Sequence, residues 1–172
     1  IVLYAEYLKL TIKMVDIKEK LKEAGFEGFI SVKDLKEDFK NGRVPKEEGV
    51  YQILRLSSTP PTFLQKGTGG YFKGKEPNVS IDELRSNWVA DEPIVYIGKA
   101  SELYKRIRQY MQFGSGKAVG HFGGRYIWQL ADSDELIICW KRASESRSLE
   151  AAMIAEFKNN HNGKRPFANL KD

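Results

Sequence analysis

Residues 95–110, VYIGKASELYKRIRQY, decide how this chain is interpreted. An apolar run typical of a strand ends at Gly98, and the positions after it predict a helix with Ser101 as N-cap and a buried stripe of Leu103, Ile107, Tyr110 and Met111. The rest of this helix carries three cations against the single acid Glu102: Lys105, Arg106 and Arg108. A solvated helix usually mixes charges of both signs, so we expect this one to face a negatively charged partner.

The charge of the whole chain points the same way. The 172 residues suit one compact domain with a core, and they carry 28 Lys and Arg against 23 Asp and Glu, a net charge of +5. Residues 1–93 are neutral overall, so residues 94–172 hold the entire excess. Concentrated positive charge attracts polyanions, most commonly nucleic acid, although charge alone also suits a solubilising surface.

The single cysteine and the hydropathy favour a cytoplasmic protein. Cys139 lies inside an apolar run and cannot form an internal disulfide, so we expect a buried, inert thiol. No apolar run approaches the roughly 20 residues that a membrane-spanning helix needs.

The first 48 residues are predicted to be a helical segment. One helical stripe ends near Gly25 and consists of Leu3, Tyr7, Leu10, Met14, Ile17 and Leu21. We expect this stripe to pack on the domain, and a homodimer through the helix is the alternative. Ser31 is predicted to cap a second short helix that runs to about Phe39.

Three strands are predicted, over residues 49–55, 93–98 and 135–141. The first alternates, with Val50, Gln52 and Leu54 on one face and Tyr51, Ile53 and Arg55 on the other. Two further helices are expected, a short one over 124–131 and a last one over about 147–158.

Residues 56–93 are rich in Gly, Pro, Ser and Thr, and are predicted to form an insertion outside the core, with one turn of helix capped by Ser80. Gly69, Gly74 and Lys75 match most of a phosphate-binding P-loop. Glu76 stands where a Ser or Thr hydroxyl should hold the magnesium, so we interpret the glycines as a flexible loop instead.

A more specific set of residues runs through the second half of the chain. Tyr51 closes the sequence GVY at 49–51, and Tyr96 opens the sequence YIG at 96–98. Arg106 and Tyr110 follow one turn apart on the next helix, and Glu150 opens the sequence EAAMI in the last helix. This ordered set resembles the GIY-YIG nuclease superfamily, and among its members the catalytic domain of the bacterial excision-repair incision subunit.

The resemblance implies an α/β (α+β) domain with a three-stranded antiparallel sheet flanked by helices, over residues 49–55 and 94–170. It also implies a metal-dependent endonuclease, a hydrolase that cuts double-stranded or branched DNA, in a prokaryotic or phage setting and in a role such as repair or restriction. The alternative is a nucleic-acid-binding module of the same fold that does not cleave.

The residue roles follow from the same resemblance. Glu150 would bind one Mg²⁺ or Mn²⁺, and Arg106 would hold a phosphate oxygen. Tyr51 would orient or deprotonate the attacking water, helped by Lys99, whose charge would lower a phenol pKa. Tyr96 and Tyr110 would position phosphate and water, and the site asparagine is Asn169 or, by spacing, Asn162. The expected contacts to flanking nucleic acid are Lys105, Arg108, Lys117, His121 and Arg125.

Overall fold

In a computed structural model, which describes residues 2–41 and 43–171, the chain is a mixed α/β protein built on one four-stranded antiparallel sheet. Its elements are α1 (Val2–Glu23), β1 (Glu27–Ser31), α2 (Val32–Glu37), β2 (Gly49–Leu54), α3 (Ile81–Asn87), β3 (Ile94–Ala100), α4 (Leu103–Gly114), β4 (Ile137–Arg142) and α5 (Ser146–Asn160). Short 3₁₀ turns cover Phe39–Asn41, Arg125–Gln129 and Ser133–Glu135. The strand order is β1-β4-β2-β3.

Strand β2 lies inside the sheet and is buried along its whole length. One face packs Tyr51 and Ile53 into the larger core with α2 and α4, and the other packs Val50 and Leu54 against α1 and α5. The alternation predicted for this strand is therefore confirmed, with helices covering both faces.

The sheet has one strand more than the three predicted. Strand β1 pairs with β4, and its register shifts between Gly28 and Ile30. Gly28 and Phe29 both have positive φ, of 98° and 53°. This bulge interrupts the apolar alternation on which a sequence-based prediction of strands depends, so the three-strand prediction was wrong.

The apolar contacts of helix α1 with the domain, among its described side chains, lie near its C-terminal end, and Lys13 in the middle of the helix donates a hydrogen bond to the Asp91 carbonyl. Ile17 and Leu21 pack in the smaller core, whereas Leu3 and Tyr7 are 84% and 56% exposed. The prediction that the whole stripe packs on the domain was therefore wrong, and the side chains of Leu10 and Met14 lie outside the described residues.

Within the described ranges no helix has the length and apolar character needed to cross a bilayer.

The start of α4 differs from the prediction that Ser101 caps it. The helix begins at Leu103, after Glu102, which makes no side-chain cap bond. The amides of Leu103 and Tyr104 instead donate to the carbonyls of Glu47 and Pro45, both at 2.9 Å. The backbone before β2 thus satisfies the free amides of this helix end. The predicted caps Ser31 and Ser80 are confirmed, since each accepts a hydrogen bond from a backbone amide three residues on.

The segment 56–93 is part of the core, contrary to the prediction. Leu84 is fully buried in the larger core, and Phe63 and Trp88 pack against it. The glycine-rich part is also closely packed: a Cβ on Gly70 would lie 2.0 Å from the Lys117 carbonyl oxygen. Gly67, Gly69 and Gly70 are closely packed and so do not mark a flexible loop, whereas a Cβ on Gly74 would meet nothing within 4 Å and that glycine serves a turn with φ of 70°.

The substitution Leu84→Ala should lower the free energy of unfolding by about 2–5 kcal/mol, because it leaves a cavity in the larger core. Equilibrium urea unfolding followed by circular dichroism measures this. The matched control is Leu8→Ala on α1, where the leucine is 41% exposed and the expected change is within about 0.5 kcal/mol. Equal effects of the two variants would contradict the assignment of 56–93 to the core.

Candidate active site

An open cleft of about 970 Å³ lies where β3 ends and where α4 and α5 begin. The loop after α4 and the C-terminal tail complete its walls. Seven of the residues predicted for the site or its flanks line this cleft: Tyr96, Lys99, Lys105, Arg106, Arg125, Glu150 and Asn169. Segments far apart in the sequence thus bring a phenol, a guanidinium and a carboxylate to one cavity.

Glu150 and Lys99 form an ion pair in the cleft, between the Glu150 Oε2 and the Lys99 Nζ. Glu150 lies in the second turn of α5. The Glu150 side chain is 15% exposed and that of Lys99 43% exposed, so the carboxylate is the more enclosed partner. Lys99 therefore fixes the position of the carboxylate at the wall of the cleft.

Four aromatic rings form one wall of the cleft, with Tyr96 in front. Tyr96 lies 5.8 Å from Tyr51 and 5.4 Å from Tyr110, measured between ring centroids. His121 stacks on Tyr110 at 3.9 Å with an interplanar angle of 2°, and its Nε2 lies 3.1 Å from the Tyr51 hydroxyl. Of these four rings only Tyr96 lines the cleft; Tyr51, Tyr110 and His121 are fully buried.

Two glycines allow this wall to form. A Cβ on Gly98 would lie 2.6 Å from Cζ of Tyr51, which pairs with Gly98 across β2 and β3. A Cβ on Gly124 would lie 2.2 Å from the Tyr110 hydroxyl, which donates a 2.6 Å hydrogen bond to the Gly124 carbonyl. The glycine of the YIG sequence is thus required because the phenol of the GVY sequence lies directly on it.

The environment keeps these groups neutral at neutral pH. Burial raises the pKa of the hydroxyls of Tyr51, Tyr96 and Tyr110 above the usual value. Burial, reinforced by the charge of Arg106, lowers the pKa of His121 to about 3. Arg106 opposes the effect of burial on the phenols, lowering the pKa of each.

Three sequence predictions about these residues need correction. Tyr51 does not open on the cleft, so Tyr96 is the phenol that can meet a water there. The cation that lowers the phenol pKa is Arg106, whereas Lys99 is paired with Glu150. His121 is enclosed among tyrosines and does not present its ring to a phosphate.

Asn169 lines the cleft, and its amide holds the backbone of β3. Its Oδ1 accepts a hydrogen bond from the Ile97 amide at 3.0 Å, and its Nδ2 donates to the Ile97 carbonyl at 2.8 Å. The alternative candidate, Asn162, is an exposed residue with φ of 54° in the turn after α5. Of the two asparagines, Asn169 is therefore the one placed at the site, where it fixes the strand that carries Tyr96.

The predicted nucleic-acid contacts divide into two groups. Lys105 and Arg125 line the cleft, and the guanidinium carbon of Arg125 lies 5.7 Å from the ring centroid of Phe122 and 5.6 Å from that of Tyr126. Arg108 and Lys117 are exposed and stand outside the cleft lining.

Sequence reasoning missed several residues that line the cleft. Arg147 precedes Glu150 by three positions, so helical spacing on α5 could have identified it. Phe122 and Lys171 come from irregular segments, for which no periodic pattern predicts a position.

The side chains of the cleft can be compared with the ligands that Mg²⁺ prefers. The described residues contain no group of three or more His, Cys, Asp or Glu able to hold a metal ion. Mg²⁺, however, usually keeps several waters and takes one or two carboxylates plus substrate phosphate oxygens. Two carboxylates, Glu150 and Glu102, line the open cleft, which fits that mode of binding and no all-protein metal cage.

Comparison with known proteins adds no relative to this description. The chain matches no family model, no curated protein and no solved structure.

Proposed function

We propose that this chain is a metal-dependent endonuclease of the GIY-YIG type, which hydrolyses phosphodiester bonds in DNA. The observation that carries the proposal is the convergence of Tyr96, Arg106 and Glu150 in one cleft. Phosphodiester hydrolysis needs a base for the attacking water, a cation against the charge that grows on the phosphate, and a hard-oxygen ligand for a divalent ion. Each of the three residues supplies one of these.

Tyr96 is the proposed general base. Its side chain lines the cleft, and Tyr51 and Arg106 both lower its pKa, against the larger effect of burial. In the phenolate form its oxygen accepts a proton from a water, whose oxygen attacks the phosphorus as the bond to the 3′ oxygen breaks. The leaving 3′ oxygen takes a proton from solvent in the open cleft.

Arg106 and Glu150 are proposed to act on the phosphate from two sides. The guanidinium of Arg106 can donate two parallel hydrogen bonds to non-bridging oxygens, and these strengthen as negative charge accumulates. Glu150 would hold Mg²⁺, which when bound supplies positive charge to the phosphate oxygens. Lys99 keeps the Glu150 carboxylate turned into the cleft through their ion pair.

A non-cleaving nucleic-acid-binding module is the second candidate, and one observation favours it. The ammonium of Lys99 already neutralises the Glu150 carboxylate, the only carboxylate among the proposed site residues. If that pair persists on DNA, the cleft keeps its cations and its shape, Glu150 does not hold a divalent ion, and Glu102 is the carboxylate left on the lining.

The substitution Glu150→Gln should reduce Mg²⁺-dependent cleavage by at least about 10²–10³-fold, because the amide cannot neutralise a divalent ion on the phosphate. DNA binding without Mg²⁺ and the unfolding midpoint should change little. Plasmid nicking, gel shift and urea unfolding measure these quantities. Glu156→Gln, on the exposed side of the same helix, is the control and should cut like wild type. A Glu150→Gln variant that nicks at the wild-type rate would remove Glu150 from the site.

Substitutions of Arg106 and Lys105 can distinguish an effect on catalysis from an effect on DNA binding, because neighbouring residues on a helix point about 100° apart. Arg106→Ala should lower the turnover at saturating DNA by roughly 10²–10³-fold. Lys105→Ala should leave turnover nearly unchanged and reduce the salt dependence of DNA binding by about one phosphate contact. Both constants would be measured across a salt series. Equal loss of affinity with no loss of turnover in either variant would favour the non-cleaving module.

The pH dependence of cleavage tests Tyr96. Because its pKa is raised, the phenolate is a minor form at neutral pH, and its fraction grows as pH rises towards that pKa. The logarithm of the wild-type rate should therefore increase between about pH 7 and 9, with a slope near one. Tyr96→Phe should lose most of the activity together with this rise, whereas Tyr7→Phe on α1 should keep both. A wild-type rate that is flat or falls over this interval would exclude Tyr96 as the base.

A further inference from the structure

Two segments of the chain contain cations and no acidic residue. Residues 56–75 and 103–131 together carry eight basic side chains and neither Asp nor Glu: Lys66, Lys73, Lys75, Lys105, Arg106, Arg108, Lys117 and Arg125. The second segment includes α4 and the loop that lines the cleft, and the first belongs to the insertion.

These two segments are packed directly on each other. The Gly70 amide donates to the Phe113 carbonyl at 2.9 Å, and Gly70 lies too close to the Lys117 backbone to accept a side chain. Further along, a Cβ on Gly120 would lie 3.2 Å from the ring of Phe72. The same loop brings Phe122 into the cleft, so a continuous, closely packed surface runs from the cleft to Phe72.

Beyond Phe72 this surface ends in a tight turn. Phe72 and Lys75 form an antiparallel bridge, with a 3.1 Å hydrogen bond from the Lys75 amide to the Phe72 carbonyl. The two central residues, Lys73 and Gly74, have φ of 52° and 70°, the pattern of a type I′ turn. Asn and Gly are the residues such a turn prefers, so a lysine at the first central position is not there for the backbone geometry.

The two lysines of this turn face solvent, and residues 56–75, to which they belong, include no acidic residue. Lys73 and Lys75 are both exposed. The next acid, Glu76, accepts hydrogen bonds from the Asn78 amide at 2.9 Å and from its side chain at 2.6 Å. Its carboxylate is thereby held towards Asn78, and the hydrogen bonds from Asn78, with the charge of Lys66, lower its pKa. The exposed ammonium groups of Lys73 and Lys75 are the charges that the turn itself presents.

We propose that the turn at residues 72–75, referred to below as the basic turn, binds the phosphate backbone of the nucleic acid on one side of the cleft. The inference rests on the proposed function for the identity of the polyanion, and it extends the contact surface past the scissile phosphate. Arg108 and Lys117, which stand outside the cleft, are exposed residues of the acid-free segment 103–131 and provide intermediate contacts. Contacts of this kind position the substrate and carry no base specificity.

The test removes the two charges of the basic turn and retains its backbone. Lys73→Asn places a residue that tolerates positive φ at the first turn position, and Lys75→Gln keeps the length of the side chain. Binding to a 30-base-pair duplex is measured without Mg²⁺ across a salt series, so that no cleavage occurs. The double variant should lower the slope of log affinity against log salt by about 1.8, since each duplex phosphate contact contributes about 0.9.

The control is Lys9→Gln with Lys18→Gln, two lysines of α1, which should leave the salt slope unchanged. A double variant of the basic turn with the wild-type slope would overturn the inference even if the protein cleaves DNA. If cleavage is never observed but the slope falls as expected, the surface assignment stands and the endonuclease proposal fails separately. Absence of any binding by wild-type protein would overturn the inference as well.

Discussion

The structure depends on strand β2 being covered on both faces and hydrogen-bonded on both edges. The strand pairs with β3 on one side and with β4 on the other, and all six of its residues are buried. The period of two then places Tyr51 and Gln52 on opposite faces, with no freedom to slip by one residue. Because Tyr51 must point into the larger core, its pairing partner Gly98 must leave room for the phenol.

That packing constraint shapes the proposed site. With Tyr51 seated on Gly98 and Tyr110 on Gly124, Tyr96 is the ring left at the surface of the aromatic cluster, facing the cleft. His121 closes the cluster from behind and stays neutral, because burial beside Arg106 disfavours its charged form. The cluster thus provides a rigid wall for the cleft, and the cations and Glu150 stand at its rim. Rigid support of this kind is what positions groups for transition-state stabilisation.

Part of this arrangement could be predicted from the sequence, because strongly patterned elements carry their own signal. The alternation of β2, the apolar stripe of α4 and the caps Ser31 and Ser80 are local features, and the structure has them. The strand β1 and the core position of Leu84 depend on a bulge and on long-range packing, which leave no periodic pattern. The sequence also could not show that Tyr96 lines the cleft while Tyr51 is fully buried. Burial of a tyrosine ring depends on the residues that surround it in space.

The proposed function requires that the cleft hydrolyses phosphodiester bonds. The most direct measurement is incubation of the purified protein with a supercoiled plasmid, with Mg²⁺ in one arm and with excess chelator in the other. We expect nicked and then linear plasmid with Mg²⁺ and intact plasmid with chelator. Plasmid that stays supercoiled with Mg²⁺, at protein concentrations where a gel shift shows it to be bound, would contradict the claim.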